Sequence, residues 1–164
     1  MKELLAKINL RRLLLYALYM FLMLVFQNMV LTQLRPLGVC PFVLPAVAVA
    51  VGMFEGATWG ALFGLVMGIF ADMFFVESMV GFTLLFPAIA FATGFVSQFF
   101  INRRFFAFMV AAFIALLVTG VVQMLRVLLS EGWTFALLST VILQTLWSLP
   151  PAVLAYFPPA KWIE

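Results

Sequence analysis

Nine basic and six acidic residues are all the charge that this chain of 164 residues carries, and most of them sit at points where apolar runs of about twenty residues break. The breaks are LRP (34–36), Glu55-Gly56, Glu77-Ser78, NRR (102–104) and SEG (130–132), and they cut the sequence into six pieces: 10–32, 37–54, 57–76, 79–101, 105–129 and 133–157. A helix that crosses a bilayer needs about 20 mainly apolar residues. Hydrophobic residues make up 67% of the chain, where a soluble domain has roughly half. So short a chain has no core large enough to hide that surplus, and the rest must face lipid. The expectation is an all-α integral membrane protein: six transmembrane helices in one compact bundle, with residues 1–164 as a single polytopic domain.

The opening MKELLAKINLRR has the charge order of a signal peptide. The run from Leu13 to Leu31 is longer than a usual signal core and no small-residue cleavage site follows, so it is read as a retained first span. Pro41 and Pro45 interrupt the second piece, which is expected to be tilted, kinked or partly re-entrant where neighbours satisfy the freed backbone groups. Basic residues favour the cytoplasmic side. An inside N-terminus leaves Lys2, Lys7, Arg11, Arg12, Arg103, Arg104 and Lys161 inside and only Arg35 and Arg126 outside. Six spans then return the C-terminus to the cytoplasm, with Trp162 and Lys161 as an interfacial anchor. The net charge of +3 reports topology. It does not indicate nucleic-acid binding, because the basic residues never cluster on a solvated element.

The chain has no histidine, a single aspartate and a single cysteine. Serine–histidine proteolysis, an HExxH zinc site and an aspartyl dyad are therefore excluded, as is an internal disulfide. No GxxxxGK[ST] sequence occurs to cradle a nucleotide. No catalytic residue, metal site or cofactor is expected.

The most ordered feature is GMFEGATWGALFGLVMGIFAD, residues 52 to 72, in which Gly52, Gly56, Gly60, Gly64 and Gly68 recur every fourth residue and Asp72 is the next term. Association in lipid gains little from hiding apolar side chains, so close backbone approach matters more, and small residues at i, i+4 provide it. The row drifts by about 40° per step around a straight helix. It is read as a packing face for a steeply crossing helix; the rival is a ligand approaching the bared backbone. Gly52 is assigned to the turn before the third span. Asp72 lies near the outer end of that span, where it is either interfacial or paired with Arg126 of the fifth span, with Glu77 and Glu131 as competing acids. Other polar groups gather in the outer half. Gln27, Asn28, Thr32 and Gln33 end the first span; Thr119, Gln123 and Arg126 share a face of the fifth; Thr140, Gln144 and Ser148 form a stripe on the sixth. They are interhelical glue or, together, the lining of a small outward cavity.

The succession of a proline-bearing apolar span (PFVLPAVAVAVGMF), a glycine-stepped span (GATWGALFGLVMGIFAD) and ESMVGFTLL resembles MreD, the rod shape-determining membrane family of bacteria. Length, span number and the basic N-terminus also fit that family. The resemblance implies a non-enzymatic scaffold of the cell-elongation machinery in the bacterial cytoplasmic membrane. Its expected partner is an MreC-like protein with one membrane helix. Through it the scaffold would act indirectly on RodA, its transpeptidase partner and actin-like MreB, supporting rod shape and peptidoglycan synthesis. The exposed part of the Gly56–Gly68 ridge would be the groove for the partner's helix. The same glycine signature is similar to that of the substrate-binding components of energy-coupling-factor vitamin transporters, whose fold MreD is thought to resemble. Vitamin capture is therefore the alternative. Those components are similar to one another in an AxxxA motif on the first span, and here that span has only Ala17.

Overall fold

LPAVAVAVGMFE, residues 44 to 55, has no charged or hydrogen-bonding side chain before its last position, so none of its faces gains from contact with water. In the computed structural model, which describes residues 10–34, 38–74, 81–99, 105–132 and 134–163, this stretch is the hub. The described residues form six α-helices: α1 (Leu10–Phe26, continued by a π-helical turn, Gln27–Leu31), α2 (Leu44–Glu55), α3 (Ala57–Phe74), α4 (Phe82–Phe99), α5 (Phe105–Glu131) and α6 (Phe135–Ile163). Every residue of α2 from Leu44 to Phe54 is buried. The α3–α4 hairpin packs on one side of it and the α5–α6 hairpin on another, while α1 touches it along a narrower strip.

The pairs α1–α2, α2–α3, α3–α4 and α5–α6 run antiparallel, as their contacts show, whereas α2 and α4 lie side by side in parallel. Tyr16 of α1 bonds to Glu55 at the end of α2, whereas Gln27 bonds to Pro41 and Val43 before its start. Gly60 of α3 lies against Gly52 of α2. On the far side, Tyr156 of α6 meets the rings of Phe105 and Phe108, and Gln144 reaches Gln123. Two ends of the bundle follow, one marked by Tyr16 and Glu55, the other by Gln27 and Ser148.

Twelve residues at 1.5 Å each make α2 about 18 Å long, well short of the ~30 Å hydrocarbon core. The expected second span thus begins as a helix only at Leu44; residues 39–43 before it carry no regular structure. Pro45 falls in the first helical turn, where its missing N–H leaves no bond unmade. Among the described residues four helical segments are long and apolar enough to cross a membrane (Leu13–Leu31, Ala57–Phe74, Phe105–Leu125 and Phe135–Pro158), and Leu44–Glu55 and Phe82–Gln98 are shorter apolar helices. The fold is that of a helical membrane protein.

The α2–α3 turn is a single residue, Gly56, with φ 91° and ψ 175°. An L side chain is strongly disfavoured there, and residues held in such regions cost about 1–3 kcal/mol. A Cβ at Gly56 would also lie 2.7 Å from the Gln98 amide nitrogen. Gly56→Ala should therefore lower stability by about 1–3 kcal/mol, read as a fall in thermal midpoint in detergent; an unchanged midpoint would show that this turn is not held as described.

Candidate functional site

The glycine row and the carboxylate that ends it form one continuous seam. Along α3, Gly68 lies against the Phe82 carbonyl, Gly64 against the Phe86 carbonyl and Gly60 against that of Ala90. One step further, at the turn, Gly94 of α4 fits against the backbone of Gly56 and Ala57. Both partners therefore advance by four residues. The space is backbone-tight: an added Cβ would stand 2.5 Å from the Phe82 oxygen at Gly68 and 2.8 Å from the Phe86 oxygen at Gly64. Carbonyl oxygens facing glycine Cα groups are the arrangement in which weak Cα–H···O contacts recur.

Asp72 stands where the next glycine would be, and α4 has ended there. Its carboxylate accepts hydrogen bonds from the Phe82 N–H (2.8 Å), the Thr83 N–H (3.0 Å) and the Thr83 hydroxyl (2.6 Å). The first N–H groups of a helix have no partner within it, and the helix dipole favours a negative charge at that end. Asp72 thus caps α4 from a neighbouring helix. Glycine serves where backbone lies alongside, and carboxylate serves where backbone N–H groups emerge.

Gly52 is helical, within α2, rather than in the preceding turn, and it faces Ala90 and Thr93 of α4 as well as Gly60. Gly56 is the turn residue. Gly52, Gly56, Gly60, Gly64 and Gly68 are all buried, so the ridge is closed inside the chain and leaves no exposed part for a partner's helix. The reason is geometric: α4 follows α3 directly and already occupies the cleared side. The carboxylate offered to Arg126 is engaged by α4; the side chains of Arg126 and Glu131, and all of Glu77, lie outside the described residues.

The polar residues of the opposite flank serve the irregular stretch before α2. Gln27, in the π-turn and buried, donates from Nε2 to the Pro41 carbonyl at 2.9 Å and accepts the Val43 N–H on Oε1 at 2.8 Å. Ser148 accepts the Phe42 N–H at 2.8 Å and donates to the Gln144 carbonyl at 2.6 Å. Non-helical backbone at membrane depth is tolerated only where protein satisfies it, and these two side chains do so. Gln144 donates to Gln123 at 3.1 Å, Asn28 to the Leu24 carbonyl at 3.1 Å and Thr32 to the Gln27 carbonyl at 2.9 Å. Thr119 and Thr140 bond to carbonyls four residues earlier in their own helices.

Sequence patterning passes over two further ties. The Tyr16 hydroxyl donates to Glu55 at 2.5 Å, and the buried Tyr19 hydroxyl donates to the Ala155 carbonyl at 2.7 Å. With Gln27 they lie along the side of α1 that meets the bundle, and the spacing Tyr16, Tyr19, Met23, Gln27 in an otherwise featureless apolar run is the signal that marks it. The other side of α1 is exposed at Leu14, Leu18, Phe21 and Leu22.

Among the described residues no buried side-chain nitrogen or oxygen lacks a hydrogen-bond partner, and no group of three His, Cys, Asp or Glu could hold a metal. An open apolar groove of about 480 Å³ runs between α1 and α6, lined by Leu22, Met23, Phe26, Met29, Val30 and Leu154 among others. In comparisons with known proteins, the chain matches no family model, and neither a curated protein nor a solved structure is significantly similar to it.

Two outcomes test the seam. Gly64→Ala should destabilise the bundle by about 1–3 kcal/mol through overpacking. Gly120→Ala, whose Cβ would meet a Val141 methyl at 3.1 Å, should cost clearly less because a side chain can give way; equal losses would contradict backbone contact at Gly64. Asp72→Ala should cost about 0.5–2 kcal/mol, as loss of an N-cap does, and should speed amide exchange at Phe82 and Thr83, with Asp72→Asn intermediate. Unchanged exchange at those two amides would remove the cap.

Proposed function

We propose that this chain is a non-catalytic membrane scaffold of the MreD kind, with six segments crossing the bacterial cytoplasmic membrane, both termini in the cytoplasm and an MreC-like protein as its partner. The observation that carries the reading is the seam. The segments that bear the resemblance, a proline-bearing apolar stretch, a glycine-stepped helix ending in aspartate and the helix after ESMVG, are those that lock α2, α3 and α4 together. The functional reading rests on that resemblance. A fixed unit of this sort suits a protein whose work is to hold other membrane proteins in place.

The short hub belongs to the same reading. Residues 38–55 cross as a broken span, with α2 completed by the irregular stretch held by Gln27 and Ser148. The polar residues at that end bond to backbone and to one another, which favours glue over the lining of a vitamin pocket. With the glycine ridge closed by α4, a partner's helix meets the lipid-facing side chains instead.

Affinity purification of the tagged chain from membranes is the direct test. Recovery of a protein with one membrane helix and a large extracytoplasmic domain, together with elongation-machinery proteins, supports the scaffold. Recovery of a bound vitamin or an ATPase module would replace it with the transporter reading. A charge exchange, Asp72→Arg with Arg126→Asp, should not restore what Asp72→Arg loses, because arginine cannot accept the N–H groups of α4; full rescue would reinstate the Asp72–Arg126 pair.

A further inference from the structure

Two Pro-Pro pairs, Pro150-Pro151 and Pro158-Pro159, lie inside α6, one helix from Phe135 to Ile163. A helical carbonyl accepts the N–H four residues on, or three residues on in a 3₁₀ turn, and proline has no N–H. A pair therefore removes both donors from a single carbonyl. Trp147 loses those of Pro150 and Pro151, and Ala155 loses those of Pro158 and Pro159. The N–H of Ala152, the next along from Pro151, belongs in the α pattern to the Ser148 carbonyl. In hydrocarbon a carbonyl freed by proline needs its donor from elsewhere. Ala155 has one, the Tyr19 hydroxyl of α1 at 2.7 Å.

Trp147 lies at the middle of the apolar stretch Phe135–Pro158, far from interfacial water, and is exposed. Its carbonyl points along α6 toward the C-terminus, past Pro150 and toward Leu154. Leu154 is seven residues on, about 20° away around the helix. It is the α6 wall of the open apolar groove, facing Met23, Phe26 and Met29 of α1. The depth agrees as well, because Gln27 of α1 and Ser148 of α6 bond to the same stretch, Pro41 to Val43. Groove and acceptor thus share one face of α6.

We propose that this face receives a membrane helix of a partner protein, which lies in the α1–α6 groove and donates a side-chain hydroxyl to the Trp147 carbonyl, as Tyr19 does to Ala155. An acyl chain fits an apolar groove but brings no donor, and a helix is the element that carries one to this depth. The inference deepens the scaffold reading, on which it rests, by giving the partner's helix a seat and a required residue type.

The test uses the complex purified from membranes. A photo-crosslinking amino acid replaces Met29, Leu154 or, on α4, Leu84 in the full chain, all exposed positions. Met29 and Leu154 should each join to the partner's single membrane helix, and Leu84 should not. Trp147-Ser148 is the one Trp-Ser pair in the sequence, so ¹³C-carbonyl tryptophan with ¹⁵N-serine isolates the Trp147 carbonyl in solid-state NMR. Its carbonyl resonance should move downfield from the chain alone to the complex. Conversion of the hydroxyl residues in the crosslinked segment (Ser→Ala, Thr→Val, Tyr→Phe) should abolish that movement and weaken binding about threefold, as loss of an average interhelical hydrogen bond does. Pro150→Ala with Pro151→Ala returns the missing N–H groups and favours helix; the chain should stay folded and bind the partner more weakly by a similar factor. A partner joined only through Leu84, a Trp147 carbonyl already hydrogen-bonded in the chain alone, or a resonance unmoved in the complex would each overturn the inference and leave the scaffold reading standing. Recovery of no protein with a single membrane helix would defeat both.

Discussion

Within a bilayer the apolar side chains of two helices are as well solvated by lipid as by each other, so attraction between helices depends on how closely their backbones approach. Every other feature of this protein is arranged around that constraint. The α3–α4 seam meets it by removing side chains on α3 wherever α4 passes, so that glycine Cα groups lie against the carbonyls of Phe82, Phe86 and Ala90. Gly52 extends the same contact into α2, and the hub helix is thereby joined to the hairpin without a large side chain between them.

Polar side chains answer a second demand of the same solvent, that no backbone N–H or carbonyl be left unpaired. Asp72 takes the first N–H groups of α4, and Gln27 and Ser148 take the backbone that precedes α2. These are places where regular helix stops. Asp72, Gln27 and Ser148 thus sit against interrupted backbone, and converting these three into a ligand site would expose the very groups they satisfy. The two tyrosines of α1 instead tie helices together, Tyr16 through the Glu55 carboxylate at the end of α2 and Tyr19 through a carbonyl within α6.

Much of this arrangement is legible in the amino-acid sequence. Apolar runs separated by charges locate five of the six helices to within a few residues of their observed starts, because in lipid a helix is nearly the only way to satisfy the backbone. Residues 39–43 are less legible: their apolar composition suits a span, but Pro41 and the side chains of Gln27 and Ser148 favour irregular backbone, and those partners are distant in sequence. The glycine period announces a packing face. It does not announce the partner, since Phe82, Phe86 and Ala90 contribute backbone rather than any residue type that a pattern can mark. For the same reason the sequence suggests a distant arginine as the partner of the Asp72 carboxylate: a helix N-terminus carries no charge in a one-letter sequence.

Solid-state NMR on the protein in bilayers, labelled with ¹³C at glycine Cα and phenylalanine carbonyl carbons, observes the seam without altering it. A short-range correlation between Gly64 Cα and the Phe86 carbonyl, and another between Gly68 and Phe82, is the result required by backbone-to-backbone contact of α3 with α4. Their absence, with the two helices otherwise intact and separated by lipid or side chains, would contradict the structure at the contact on which the rest is built.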